Sequence, residues 1–241
     1  MTILVGSKNS APVAKVKAGR AMALQIKGKG VAKMDVASAR ASIMASVERV
    51  DATIQAAGGW LGGDLNIVVL PEYFLSGYPM GDTIAGWAEK GAIAHDGPEY
   101  AGLCATAQKN KVYLSGNTYE LDPNFPDIYF QACFIIDPSG ELVHRYRRMH
   151  SMFSPSPWDY WDKYTDIYGA ENVFPVTHTE FGNLATIASE EIQYPEVARA
   201  LAFKGAEIFL HSTSEVGSPA LTSKDVAKRA RAFENHAYVV S

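Results

Sequence analysis

An α/β fold is predicted by three observations: amphipathic segments of helical period alternate with short apolar runs, those runs are rich in β-branched residues, and turn residues mark the junctions. The sequence has 241 residues, 47% hydrophobic and 20% charged, with a formal net charge of -4. That is enough apolar material for one sizeable core. A small negative charge argues against a nucleic-acid groove, and an ordinary charged fraction argues against a disordered acidic tail. No apolar run approaches the ~18–20 residues needed to cross a bilayer.

The elements follow in order. Lys8, Lys15, Lys17, Arg20, Lys27, Lys29 and Lys33 all precede the first acid, Asp35. Residues 1–20 are therefore expected to form a basic, solvated extension ahead of a single domain over 21–241. Asp35 can cap a long helix in which Val36, Ile43, Met44, Val47, Val50, Ile54 and Ala57 share a face, with Gly58-Gly59 as its expected end. The run Leu65 to Leu70 reads as a strand buried on both faces, stopped by Pro71. A helix is expected from Pro98 to Asn110, a strand from Val112 to Gly116, and a hairpin from Gln131 to Tyr146 turning at Asp137-Pro138-Ser139-Gly140. Met149 to Gly169 lacks clear periodicity and reads as a long aromatic loop. Beyond it come a strand from Leu184 to Ala188, a helix from Pro195 to Lys204, a strand from Glu207 to His211, and a helix opening at Thr222 with Asp225 in the capping-box position. Ala237 to Ser241 reads as a last buried strand, and a partner or further segment is expected to cover it.

Several chemistries find no support. Cys104 and Cys133 lie in apolar patterns and are expected to be packed, reduced thiols, which favours a reducing, cytoplasmic compartment. The six histidines have no metal-ligand spacing, and Gly28-Lys29-Gly30 lacks the full phosphate-loop pattern, so no metal or cofactor is implied. No Gly-x-Ser-x-Gly elbow surrounds Ser189, which excludes a serine hydrolase of the α/β-hydrolase type. What does stand out is a shared placement: buried strands end on Glu72, on Arg147-Arg148 and on Ser189 ahead of Glu190-Glu191. In open α/β sheets, ligands bind at the carboxyl ends of strands.

The wording of these segments resembles the carbon-nitrogen hydrolase (nitrilase) superfamily, in its aliphatic amidase and nitrilase branches. The matching pieces run from Val69 to Tyr78, Gly140 to Arg148, Tyr194 to Arg199, Lys204 to Ile208 and Arg229 to Asn235, in the family's order. The resemblance implies a four-layer αββα sandwich of the nitrilase type, with this chain ending before the expected C-terminal strands. It also implies a mechanism in which a glutamate is general base, a lysine stabilises an oxyanion and a cysteine is nucleophile. Glu72 stands on the glutamate, whereas Arg148 stands where the family has its lysine and Ser189 where it has its cysteine. Tyr73, Asp159 and Glu190 are the neighbouring candidates for substrate binding, Asp159 being the nearest acid for the family's second glutamate. Two functions fit this altered triad: a hydrolase of small-molecule amides or nitriles, and a catalytically silent relative serving binding or assembly. Members of the family pair through helices like those opening at Tyr194 and Thr222, so a homo-oligomer is expected, with a second chain completing the sheet.

Overall fold

Two β-sheets face each other between layers of helix in the computed structural model of the chain, which describes residues 16–215 and 217–241. The first sheet contains β1 (Arg20–Ala23), β2 (Leu65–Val69), β3 (Ile93–Ala94), β4 (Tyr113–Leu121), β5 (Tyr129–Ile136) and β6 (Leu142–Arg147). Its order is β1-β2-β4-β5-β6, with β3 beside the end of β4; β1, β2 and β4 run parallel, and β4, β5 and β6 antiparallel. The second sheet has the order β10-β9-β8-β7, from β7 (Thr177–Thr179), β8 (Gly182–Ala188), β9 (Ile208–Ser212) and β10 (Tyr238–Val240).

Strand alternation sorts the side chains into layers. Val68, Leu70, Leu114, Phe134 and Ile136 point outward against α1 (Val36–Leu61) and α3 (Pro98–Asn110), where Ile43, Val47, Leu103 and Ala107 meet them. Their neighbours Ile67, Val69, Tyr113 and Ile135 point inward and meet Leu184 and Leu210 of the second sheet. On the far side Ala185, Ile187 and Phe209 are covered by Val197, Ala198 and Leu201 of α5 (Pro195–Phe203) and Ala227 of α6 (Ser223–Asn235). The result is the αββα sandwich that the motifs implied. Gly116 is required by this packing: a Cβ there would lie 2.7 Å from the Phe134 ring and 3.0 Å from that of Phe74.

Four differences from the sequence reading have physical causes. The first helix runs through Gly58-Gly59 and stops only at Gly62, whose left-handed φ of 75° closes it. Strand β4 continues past Gly116 to Leu121, because the polar residues there are buried and paired with β5 along their whole length. The segment from Met149 to Gly169 is not one loop: it holds a 3₁₀ turn (Pro157–Tyr160) and α4 (Trp161–Tyr168). Tyr164 of α4 packs on Phe125 and Phe130, an aromatic anchor that carries no helical repeat of its own. Finally, α2 (Ile84–Gly91), β3 and β7 are too short for periodicity to announce them. Lys8 and Lys15 of the basic extension lie outside the described residues.

Candidate active site

The carboxyl ends of β2, β6, β8 and β9 gather around one carboxylate. Glu72 follows β2 and is almost fully buried. Its Oε2 accepts hydrogen bonds from Ser189 Oγ at 2.8 Å, Ser214 Oγ at 2.7 Å, Ser214 N at 3.1 Å and Tyr78 Oη at 3.4 Å. Its Oε1 accepts from Gln131 Nε2 at 3.0 Å and lies 3.8 Å from Arg148 Nη1. Gln131 and its neighbour Asn117 share the face between the sheets, which explains polar side chains in otherwise apolar strands.

Ser189 begins the 3₁₀ turn that ends β8, and it has φ 47°. A non-glycine residue in that left-handed region is strained, and such strain collects at functional sites. The carbonyl of Ser189 accepts from His211 Nε2 at 2.8 Å. Burial pushes His211 down to about 3, so its ring is neutral, with Nε2 protonated and Nδ1 accepting from Ser241 Oγ. The strained turn is thereby anchored by a group that carries no charge.

Arg148 closes the other side. Its Nη1 donates to Gln131 Oε1 at 2.9 Å, its Nη2 to Glu190 Oε2 at 2.9 Å and its Nε to the His150 carbonyl at 2.6 Å. Burial opposes its charge, but Tyr73, Glu191, Glu190 and Glu72 prevail and hold its affinity for the proton above the ordinary arginine value. It is a fixed cation.

A second cation was not anticipated. Lys224, in the first turn of α6, donates from Nζ to Ser189 Oγ at 3.2 Å, Thr213 Oγ1 at 3.1 Å and the Ser214 carbonyl at 3.1 Å, and its Nζ is 3.0 Å from Glu190 Oε1. Glu190 thus bridges Lys224 and Arg148. Partial burial would raise its pKa, yet the Lys224 hydrogen bond, with help from the backbone, outweighs this and brings it down to about 2. Stability carried by this lowered carboxyl is full above about 4.5 and is lost as pH falls toward about 2. Glu190→Gln should therefore melt below wild type at neutral pH, with the gap closing between those limits in melting curves recorded against pH.

Of the other candidates, Tyr73 stands beside the site with φ 50° and its ring stacked on Tyr119 at 4.4 Å. Asp159 is not brought to it. Its carboxylate accepts from the Ser156 N–H and hydroxyl and closes a capping box on the 3₁₀ turn. Glu191 turns away to accept from Tyr146 Oη and the Met149 and His150 amides, which fixes the end of β6 to the turn after β8. Cys133 is buried, and burial lifts its thiol to about 12, which leaves it inert as a nucleophile. A cleft of about 900 Å³ reaches Glu72 and two of its partners, Tyr78 and Ser214, while Ser189 itself is fully buried.

Lys224, Ser214, Tyr78 and Gln131 all escaped the sequence reading. Lys224 alone left a trace there: a lysine in the first turn of a helix opposes the helix dipole, where acids are favoured, and so calls for an anchor.

The carbon-nitrogen hydrolase family model matches residues 25–241. This chain belongs to the carbon-nitrogen hydrolase family. Among its relatives, a probable nitrilase of Schizosaccharomyces pombe is 29% identical over 70% of this chain and 58% of its own length. A hydrolase of Pseudomonas protegens is 33% identical over 73% of this chain and 57% of its own length. A formamidase of Bradyrhizobium is 30% identical over 72% of this chain and 47% of its own length. The chain spans about half the length of the curated relatives it matches. Solved carbon-nitrogen hydrolases share the fold. A nitrilase-superfamily protein of Saccharomyces cerevisiae superposes with a TM-score of 0.63 at 23% identity, covering 82% of this chain and 69% of that one. An amidase from Nesterenkonia gives 0.65 at 17% identity, over 93% of this chain and 76% of that one.

Proposed function

We propose that this carbon-nitrogen hydrolase cleaves amide bonds of small, uncharged molecules by acyl transfer to Ser189, with Ser189 and Arg148 standing where the family has its cysteine and lysine. The contact of 2.8 Å between Ser189 Oγ and Glu72 Oε2, made at a strained strand end, carries this reading. A serine hydroxyl attacks only if a base takes its proton, and that geometry suits the transfer. In the first step the Ser189 Oγ bonds to the amide carbon, its proton passes to Glu72, and the carbonyl electron pair moves onto oxygen. As the carbonyl re-forms, the carbon-nitrogen bond breaks and the leaving amine takes the proton from Glu72. Water then attacks the ester carbon and gives a proton to Glu72; the ester C–O bond breaks as Ser189 Oγ takes that proton from Glu72, which frees the acid and the serine. Arg148 commits three of its five N–H donors to Gln131, Glu190 and His150, which leaves two for an oxyanion.

Two further facts support the substrate class. The charges of Glu72, Glu190, Arg148 and Lys224 sum to zero, so this cluster has no net charge with which to select an ionised substrate. The relatives include formamidases, and mutants of one solved amidase of this fold, from Nesterenkonia, are in complex with butyramide or acrylamide, or carry the acetamide moiety of fluoroacetamide on an active-site cysteine. The complete burial of Ser189 favours the second reading, a catalytically silent relative. p-Nitrophenyl acetate separates the two. A working nucleophile releases a burst of nitrophenolate and leaves an acetyl group on Ser189 by peptide mass spectrometry, both absent in Ser189→Ala. Absence of both in the wild-type protein establishes the silent relative.

A further inference from the structure

We propose that Lys224 is a catalytic residue that activates Ser189, an inference that rests on the acyl-transfer reading above. The argument is one of hydrogen-bond inventory. Ser189 has one hydroxyl proton, and it is given to Glu72. The contact with Lys224 at 3.2 Å must therefore run the other way, with the ammonium donating to the Oγ lone pair. An ammonium has three protons. Four oxygens share them, Glu190 Oε1, the Ser214 carbonyl, Thr213 Oγ1 and Ser189 Oγ, all within 3.2 Å of Nζ, and toward each the ammonium can only donate. The side chain is nearly buried, with 12% exposure, and these four contacts hold its charge beside the nucleophile.

A cation within hydrogen-bond range of a hydroxyl favours the ionised form. When the Ser189 proton moves to Glu72, negative charge develops on Oγ, 3.2 Å from Nζ, before the new bond to carbon is complete. Lys224 stabilises that charge and keeps its own protons. The base and the cation thus act on the same oxygen from opposite partners, a division of labour in which Glu190 sets the position of Lys224 and also of Arg148. This also accounts for a lysine placed against the helix dipole in the first turn of α6.

The test uses p-nitrophenyl acetate, whose leaving group needs no proton, so the acylation rate reports attack by Oγ alone. Lys224→Met should slow acylation about a hundredfold, the scale on which single charge-stabilising donors act. Lys224→Ala should be slow as well, and added ethylammonium should restore much of its rate by filling the vacated space, which a purely structural loss would not allow. Lys224→Arg should retain more activity than Lys224→Met. An acylated wild type with Lys224→Met at an unchanged rate overturns this proposal and leaves the acyl-transfer reading intact. If Lys224→Met is slow but ethylammonium and arginine both fail to help, the cation is structural and the proposal falls. A wild type that never acylates overturns both.

Discussion

Glu72→Gln is expected to slow acylation of Ser189 by about 10²–10⁴-fold, the usual cost of losing a general base. The Ser189 hydroxyl donates to this carboxylate at 2.8 Å, and its Oγ also faces a donor, Lys224. An amide oxygen in the same place can hold the hydrogen bond but cannot take the proton. A second, smaller effect follows from the surrounding donors. With its oxygen kept toward Ser189 and Ser214, the new amide would turn an NH₂ group toward Gln131 Nε2, donor against donor. Flipping Gln131 only moves the conflict to Arg148 Nη1, which now donates to Gln131 Oε1 at 2.9 Å. One unsatisfied buried donor costs about 1–3 kcal/mol. Stopped-flow acylation by p-nitrophenyl acetate and a urea titration read the two effects separately. Acylation within about threefold of wild type, far inside the range for a general base, would mean that Glu72 is not the base.

The site was legible in the sequence wherever a strand end announced it. Glu72, Arg148 and Ser189 each follow a recognisable strand, and the fold brings Glu72 within 2.8 Å of Ser189 and 3.8 Å of Arg148. Gln131 and Asn117 were hidden because a polar residue inside an apolar strand reads as a defect until the opposite sheet is seen to need it. Lys224 and Ser214 come from segments 35 and 25 residues beyond Ser189 in the chain; the packing of α6 over the second sheet brings Lys224 back, and the parallel pairing of β9 with β8 brings Ser214. Asp159 shows the opposite failure: proximity in sequence to the expected acid pointed to a site residue, while Ser156 three positions earlier had already claimed its carboxylate. The fold was clearer than the site because hydrophobic period depends on neighbours along the chain, whereas a network like that around Glu72 depends on five distant segments at once.

Arg147 and Arg148 looked like one feature in sequence, but strand alternation sends them to opposite faces of the first sheet. Arg147 is buried and lies among aromatic rings, with its guanidinium 4.7 Å from the centre of Phe130 and 4.8 Å from that of Tyr168. It pairs with Glu120 at 3.0 Å and with Asp122, both fully enclosed. Burial opposes the charge of Arg147, and the field of Glu120 more than compensates, so the group stays ionised. Arg147→Met keeps most of the volume and removes the charge. It leaves Glu120 with Arg145 at 3.3 Å and the Tyr100 hydroxyl at 3.1 Å, and Asp122 with little beyond the Tyr168 hydroxyl and the Asn124 amide. Removing one partner of a buried ion pair costs about 3–5 kcal/mol. For a chain of this length that lowers the melting temperature on the order of 10 °C. Because Tyr164 and Tyr168 of α4 stand on the same guanidinium, amide exchange in α4 should quicken more than in α5 or α6. Adding Glu120→Gln to Arg147→Met should recover part of the loss, since the stranded charge, rather than the missing contact, is the larger penalty. A loss under about 1 kcal/mol in Arg147→Met alone, the size of an exposed pair, would show that water reaches this cluster and that Arg147 is no keystone of the first sheet.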